Sequence, residues 1–217
     1  MEIKQIYEEF IRHLDSEDKE ASVNYIMDKV EKQEISVVDL YEQVLAPALN
    51  NMVCRIEDKR LCIWKEHARS AIVRTIIECC YPYVMEERRR LNIVDRGERV
   101  VIICPSEEYH ELGARMGADF FMLSGYDALF IGSNTPEEDF LQGVEALKPE
   151  YIVISVSNYY NLVTAKKLVN AIRKVHSSAT IVAAGLAFKD HKDNFKKIGA
   201  DKLIEKFTDI QELRRRQ

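Results

Sequence analysis

The chain has 217 residues, 47% of them hydrophobic, and a formal net charge of −5, which leaves room for one large domain or two small ones. The acidic balance speaks against direct nucleic-acid contact. No apolar run is long enough to span a bilayer, and Met1-Glu2-Ile3-Lys4-Gln5 lacks the apolar core of a signal peptide, so no membrane association and a cytoplasmic location are expected.

Residues 1–92 read as a helical bundle, with no glycine before Gly97. Ile3, Ile6, Tyr7 and Phe10 follow helical spacing. A second helix is expected over Ser22 to Glu31, with Val23, Ile26, Met27 and Val30 on one face. Ser36 and Asp39 form a capping-box pattern. It opens a third helix through Val38, Leu40, Tyr41, Val44 and Leu45, in which Pro47 predicts a kink. A further helix is expected from Cys62 to Arg90, giving a bundle of four or five helices. The basic runs Arg88-Arg89-Arg90 and Arg214-Arg215-Arg216 read as solvated charges at helix C-termini.

The polar stretch Leu91 to Glu98 marks a domain boundary, and residues 98–217 change pattern. Strands are expected at Val100–Cys104, Ala128–Ile131, Tyr151–Val156, Thr180–Ala184 and Lys202–Ile204. Helices are expected at Glu111–Ser124, after a Thr135-Pro136-Glu137-Glu138 start, at Leu162–Val175, near Lys192 and at Thr208–Arg216. Five βα units imply an α/β domain with a five-stranded parallel, doubly wound, flavodoxin-like sheet. Ligands bind such sheets at the carboxyl ends of the strands, near the switch point.

The loop after the first strand is Pro105-Ser106-Glu107-Glu108-Tyr109-His110-Glu111-Leu112-Gly113. It contains neither G-x-G-x-x-G nor a P-loop pattern, and the strand before it does not end in the acidic residues of a phosphoacceptor domain. It offers instead an imidazole, His110, with a carboxylate two residues earlier and a glycine three residues later. An imidazole nitrogen suits cobalt and other late first-row metals. A carboxylate on the other ring nitrogen fixes the tautomer and raises the basicity of the ligand, and Gly113 leaves room for a large flat molecule. The five cysteines, Cys54, Cys62, Cys79, Cys80 and Cys104, contain no C-x-x-C pair. They read as free, mostly buried thiols of a reducing compartment rather than a structural zinc site.

Glu108-x-His110-x-x-Gly113 resembles the Asp-x-His-x-x-Gly signature of cobalamin (vitamin B12)-binding domains, as found in methionine synthase, corrinoid methyl-carrier proteins and cobalamin-dependent light-sensing regulators. In that family the histidine replaces the cofactor's own base as lower ligand to cobalt, and the displaced nucleotide tail enters a channel lined by a Ser-x-Leu motif and a Gly-Gly pair. The resemblance implies that His110 is the metal ligand and that Ser155, Ser157, Ala184 and Gly185 line the channel. Ser155 lies 42 residues after Gly113 (155 − 113) and Gly185 a further 30 residues on (185 − 155). Glu108 stands where the family has Asp, Ser157 where it has Leu, and Ala184 where it has the first Gly.

Leu40 to Leu49 and Glu66 to Ala71 resemble the helical cap that precedes such domains, so the resemblance spans nearly the whole chain. It implies that Ile63, Glu66 and His67 contact the upper axial group. The light-sensing branch carries a Trp followed by a His where this chain has Ile56 and Glu57, and the single Trp here is Trp64. The resemblance implies cobalamin as cofactor, as adenosylcobalamin, methylcobalamin or hydroxocobalamin, and with it cobalt. Three functions follow. One is a sensor or regulator, a photoreceptor in its light-responsive form, acting through a regulatory protein partner or its own homo-oligomer; the continuation Gly113-Ala114-Arg115-Met116-Gly117-Ala118-Asp119 favours it. Another is a corrinoid subunit of a methyltransferase system, serving a separate methyltransferase partner. The substitutions at 56, 157 and 184 also leave open an interaction module that no longer binds cobalamin. No stand-alone enzymatic activity is expected.

Overall fold

The computed structural model describes residues 2–52 and 59–213, and the chain divides into two compact units, Met1–Arg90 and Leu91–Gln217. The first unit holds α1 (Ile3–Asp15), α2 (Lys19–Glu31), α3 (Val37–Asp39), a π-helical turn (Leu40–Leu45), α4 (Ala46–Asn50) and α5 (Lys59–Arg90). Each helical segment buries one stripe: Ile6, Phe10 and Leu14 in α1, Ile26 and Val30 in α2, Ile72, Val73, Ile76 and Ile77 in α5. That burial, rather than intrinsic propensity, fixes which face turns inward. Helix α2 starts three residues before the expected Ser22 (22 − 19), because Asp18 accepts the Ala21 N–H at 2.9 Å. Ser36 caps the next segment as expected, accepting the Asp39 N–H at 3.0 Å. The Val37 N–H goes to Glu87 of α5 at 3.0 Å, pinning that helix start to the bundle.

Pro47 distorts its helix in a way the sequence did not specify. The turn before it widens into the π-helix, with the Ala46 N–H bonded back to Tyr41 O, so the helix absorbs the missing proline donor by changing its pairing. One expectation fails outright. Cys79, Cys80 and Cys104 are free, but Cys62 is disulfide-bonded. A redox-compartment argument carries no information about the local geometry that decides whether two sulfurs meet. Cys54, Ile56, Glu57 and Arg214 to Arg216 lie outside the described residues. Among the described residues no helix is long and apolar enough to cross a membrane.

The second unit is a five-stranded all-parallel sheet of order β2-β1-β3-β4-β5. Its elements are β1 (Arg99–Ile103), α6 (Leu112–Leu123), β2 (Asp127–Gly132), α7 (Glu137–Leu147), β3 (Tyr151–Ser155), α8 (Leu162–Val175), β4 (Thr180–Ala184), α9 (Asn194–Ile198), β5 (Lys202–Leu203) and α10 (Phe207–Gln211), with 3-10 turns at Tyr159–Asn161 and Leu186–Phe188. Strands β1, β3 and β4 are near-continuous apolar runs because helices cover both faces. Val101, Ile103, Ile152, Ile154, Ile181 and Ala183 pack with residues of α7, α8 and α9. Val100, Ile102, Val153 and Val182 pack with residues of α6 and α10. The expected Thr135 cap is absent: Pro136 holds the N-cap position without a side-chain bond, and Glu137, Glu138 and Asp139 complement the dipole of α7 instead.

The order β2-β1-β3 places the switch point between β1 and β3. The chain leaves β1 toward one neighbour through α6 and returns on the other side through α7. The loops after β1 and β3 therefore lie side by side at the carboxyl edge.

Candidate functional site

The loop after β1 is held by its neighbours on both sides. Glu107 takes a left-handed backbone conformation (φ 68°), which L-residues adopt at a cost. Asparagines grip both backbone polar groups of that residue. Its N–H donates to Asn134 Oδ1 at 3.1 Å, and its carbonyl accepts from Asn161 Nδ2 at 3.2 Å. The bend turns Glu108 inward, where it is fully buried.

A buried carboxylate is tolerated only when its lone pairs are filled, and those of Glu108 are. Oε1 accepts the His110 N–H at 3.0 Å and lies 2.6 Å from His110 Nδ1. Oε2 accepts the Ser157 N–H at 3.0 Å, the Asn158 N–H at 2.9 Å and Asn161 Nδ2 at 3.1 Å. Burial pushes the Glu108 pKa up, but the Asn158 N–H, the His110 ring and N–H, and the Asn161 amide together outweigh it and hold the carboxyl below its usual range. Glu108 is thus a fixed anion that ties the β1 loop to the β3 loop.

His110 receives its orientation from that anion. A carboxylate only accepts, so Nδ1 carries the proton, and in the neutral ring the lone pair sits on Nε2. The side chain is 59% exposed, and Nε2 has no hydrogen-bond partner among the described residues. Among them, too, no group of three or more His, Cys, Asp or Glu is placed to hold a metal ion. What the site offers is one oriented imidazole, suited to a metal whose remaining ligands arrive with it.

The other expected residues lie around the same edge. Gly113, the second residue of α6, would meet nothing within 4 Å if it carried a Cβ, so the protein's own packing does not demand a glycine there. Ser155 is buried at the end of β3 and pairs in register with Ala184 of β4. The neighbouring Cys104 thiol faces His110 O at 3.9 Å, and burial pushes its pKa up to about 12, with Glu108 and Glu111 adding to the effect. Ser157 serves through its backbone N–H on Glu108, so the departure from Leu at 157 leaves that contact intact. Gly185 is required by packing. It has φ +104°, and a Cβ would stand 2.3 Å from Val156 O.

The helical-unit residues differ. Ile63, Glu66 and His67 are all exposed on α5, and neither polar side chain has a hydrogen bond or ion pair among the described residues. Sequence reasoning missed Asn134, Asn158 and Asn161. Their signal was an asparagine in each loop that follows β2 or β3, a position where side-chain amides commonly bond neighbouring backbone.

A family model described as the B12 binding domain matches residues 98–213. The chain belongs to the B12-binding domain family. Cobalamin is its cofactor, and the match takes in every expected residue from Glu108 to Gly185. The residues at the carboxyl edge fit that group: an imidazole with fixed tautomer, an exposed Nε2 and open space over Gly113. Among solved structures, the Methanosarcina barkeri monomethylamine corrinoid protein superposes with a TM-score of 0.79 at 12% identity, over 96% of this chain and 96% of that one. A cobalamin-binding protein from Desulfitobacterium hafniense DCB-2 gives 0.51 at 13% identity, over 94% of each chain. At such identities the likeness is one of fold. No curated protein sequence matches the chain.

Proposed function

We propose that this B12-binding protein is a corrinoid carrier that holds cobalamin with its own base displaced and His110 Nε2 as lower ligand, and serves a separate methyltransferase. The observation that carries the reading is the Glu108–His110 pair. A buried, ionised carboxylate 2.6 Å from Nδ1 commits the other nitrogen to ligation and raises its basicity. When bound, the cofactor supplies a cobalt centre able to accept and release a methyl group. The protein's part is to fix the imidazole through Glu108 and to accommodate the nucleotide tail beside Ser155, Ser157, Ala184 and Gly185. Ile63, Glu66 and His67 are the residues that the resemblance assigns to the upper axial group. The carrier role is supported by a fold shared along 96% of both chains with a monomethylamine corrinoid protein, which moves the preference away from the sensory reading.

The sensory reading keeps one support, the Gly113 to Asp119 continuation. Two experiments decide. Protein mixed with methylcobalamin and desalted is expected to stay red, with an altered spectrum or weaker retention in His110→Ala; colourless wild-type protein would overturn the reading. The loaded protein is then illuminated and its assembly state followed by light scattering. The carrier reading predicts no change, whereas a light-dependent change in assembly would favour a sensor.

A further inference from the structure

Asn161 occupies the N-cap position of α8, where an asparagine ordinarily accepts a hydrogen bond from its own helix. It makes no such cap. Its buried side chain reaches 53 or 54 positions back along the chain, and Nδ2 donates both to Glu107 O at 3.2 Å and to Glu108 Oε2 at 3.1 Å. Both partners only accept, so the amide orientation is fixed by chemistry. One side chain therefore grips the left-handed residue that aims Glu108 inward and also the carboxylate that aims His110 outward. The preceding turn keeps its own cap: Asn158 Oδ1 accepts the Tyr160 N–H at 3.1 Å. The site thus diverts a good helix cap to orient a carboxylate.

We propose that Asn161 is a positioning residue for the cobalt ligand, acting through Glu108 to hold the His110 imidazole in its ligating orientation. The inference rests on the lower-ligand reading above. Without the amide, Glu108 Oε2 keeps the Ser157 and Asn158 N–H groups but loses one of its three donors, and Glu107 loses the partner of its carbonyl, so the grip on both the left-handed residue and the carboxylate is weakened. A hydrogen bond to a charged group is worth enough to change an equilibrium by about tenfold. Asn161→Ala is therefore expected to shift the ratio of histidine-ligated to histidine-free cobalamin about tenfold toward the free form. Asn161→Asp turns the donor into a second carboxylate facing Glu108 and is expected to shift it further.

The test is electron paramagnetic resonance of Co(II)-cobalamin bound to wild type, Asn161→Ala and Asn161→Asp, each grown with ¹⁵N-histidine. The amplitude of the nitrogen splitting reports the ligated share. Circular dichroism and thermal unfolding of the cofactor-free proteins check the fold, and the substitution to Asp is read if the one to Ala fails to fold. Wild type with full splitting and folded variants with diminished splitting support the inference. Folded variants with wild-type splitting overturn it while leaving His110 as ligand. Wild type without splitting overturns the lower-ligand reading itself.

Discussion

Two regions of this molecule were picked out by short motifs that pair a glutamate with a histidine, and they differ in how the chain treats them. In the β1 loop, His110 sits on a carboxylate that accepts two hydrogen bonds on Oε1 and three on Oε2. On α5, Glu66 and His67 stand exposed beside Ile63 with no bond among the described residues to orient them. A loop at the switch point of a parallel sheet is surrounded by other loop ends whose backbone donors converge on it. A helix surface has no such neighbours, and any position its side chains take is supplied from outside the helix.

The contrast can be broken at several points. The largest effect is expected from Glu108→Ala. It leaves the Ser157 and Asn158 N–H groups and Asn161 Nδ2 without their buried acceptor, at about 3–4 kcal/mol, measured by chemical denaturation of the cofactor-free protein. Gly185→Ala strikes the adjacent strand end. A Cβ 2.3 Å from Val156 O at φ +104° is expected to cost about 3 kcal/mol, read as a lowered thermal midpoint.

A smaller effect concerns pH. The folded-state pKa of Glu108 is lowered, so its stabilising contribution is complete above the ordinary glutamate range. It is lost as pH falls through the lowered folded value, because the unfolded chain takes up the proton first. The stability difference between wild type and Glu108→Gln, measured by denaturant titration, is expected to shrink on acidification through that window. A difference that grew would contradict the assignment. Smaller again is a contrast in reactivity. With its pKa pushed to about 12, buried Cys104 is expected to resist iodoacetamide at mildly alkaline pH in the native protein, while exposed Cys79 reacts; peptide mass spectrometry distinguishes them. The smallest effect sharpens the comparison from the other side. Glu66→Ala and His67→Ala are expected to change the stability of the cofactor-free protein by less than about 0.5 kcal/mol.

What the sequence made legible follows the same division. The five-stranded parallel sheet and the loop after β1 were readable because burial on two faces writes long apolar runs, and the pairing of Glu108 with His110 because their spacing is local. Asn161 was not readable. Its partners lie 53 and 54 positions away, and in sequence it looks like a helix start. The π-helical turn before Pro47 and the disulfide at Cys62 were hidden for a related reason: each depends on how neighbouring turns or sulfurs meet, which composition and periodicity do not encode. The need for glycine at 185 arises from the Val156 backbone passing beneath it, a packing contact within the protein itself.

The most direct test of the central claim is isotope-resolved magnetic resonance of the cobalamin-loaded chain. In wild type carrying ¹⁴N-histidine, the Co(II) spectrum is expected to show triplet nitrogen splitting. That splitting should collapse to a doublet with ¹⁵N-histidine and vanish in His110→Ala. Splitting that ignores the histidine label, or that survives in His110→Ala, would contradict His110 as the ligand.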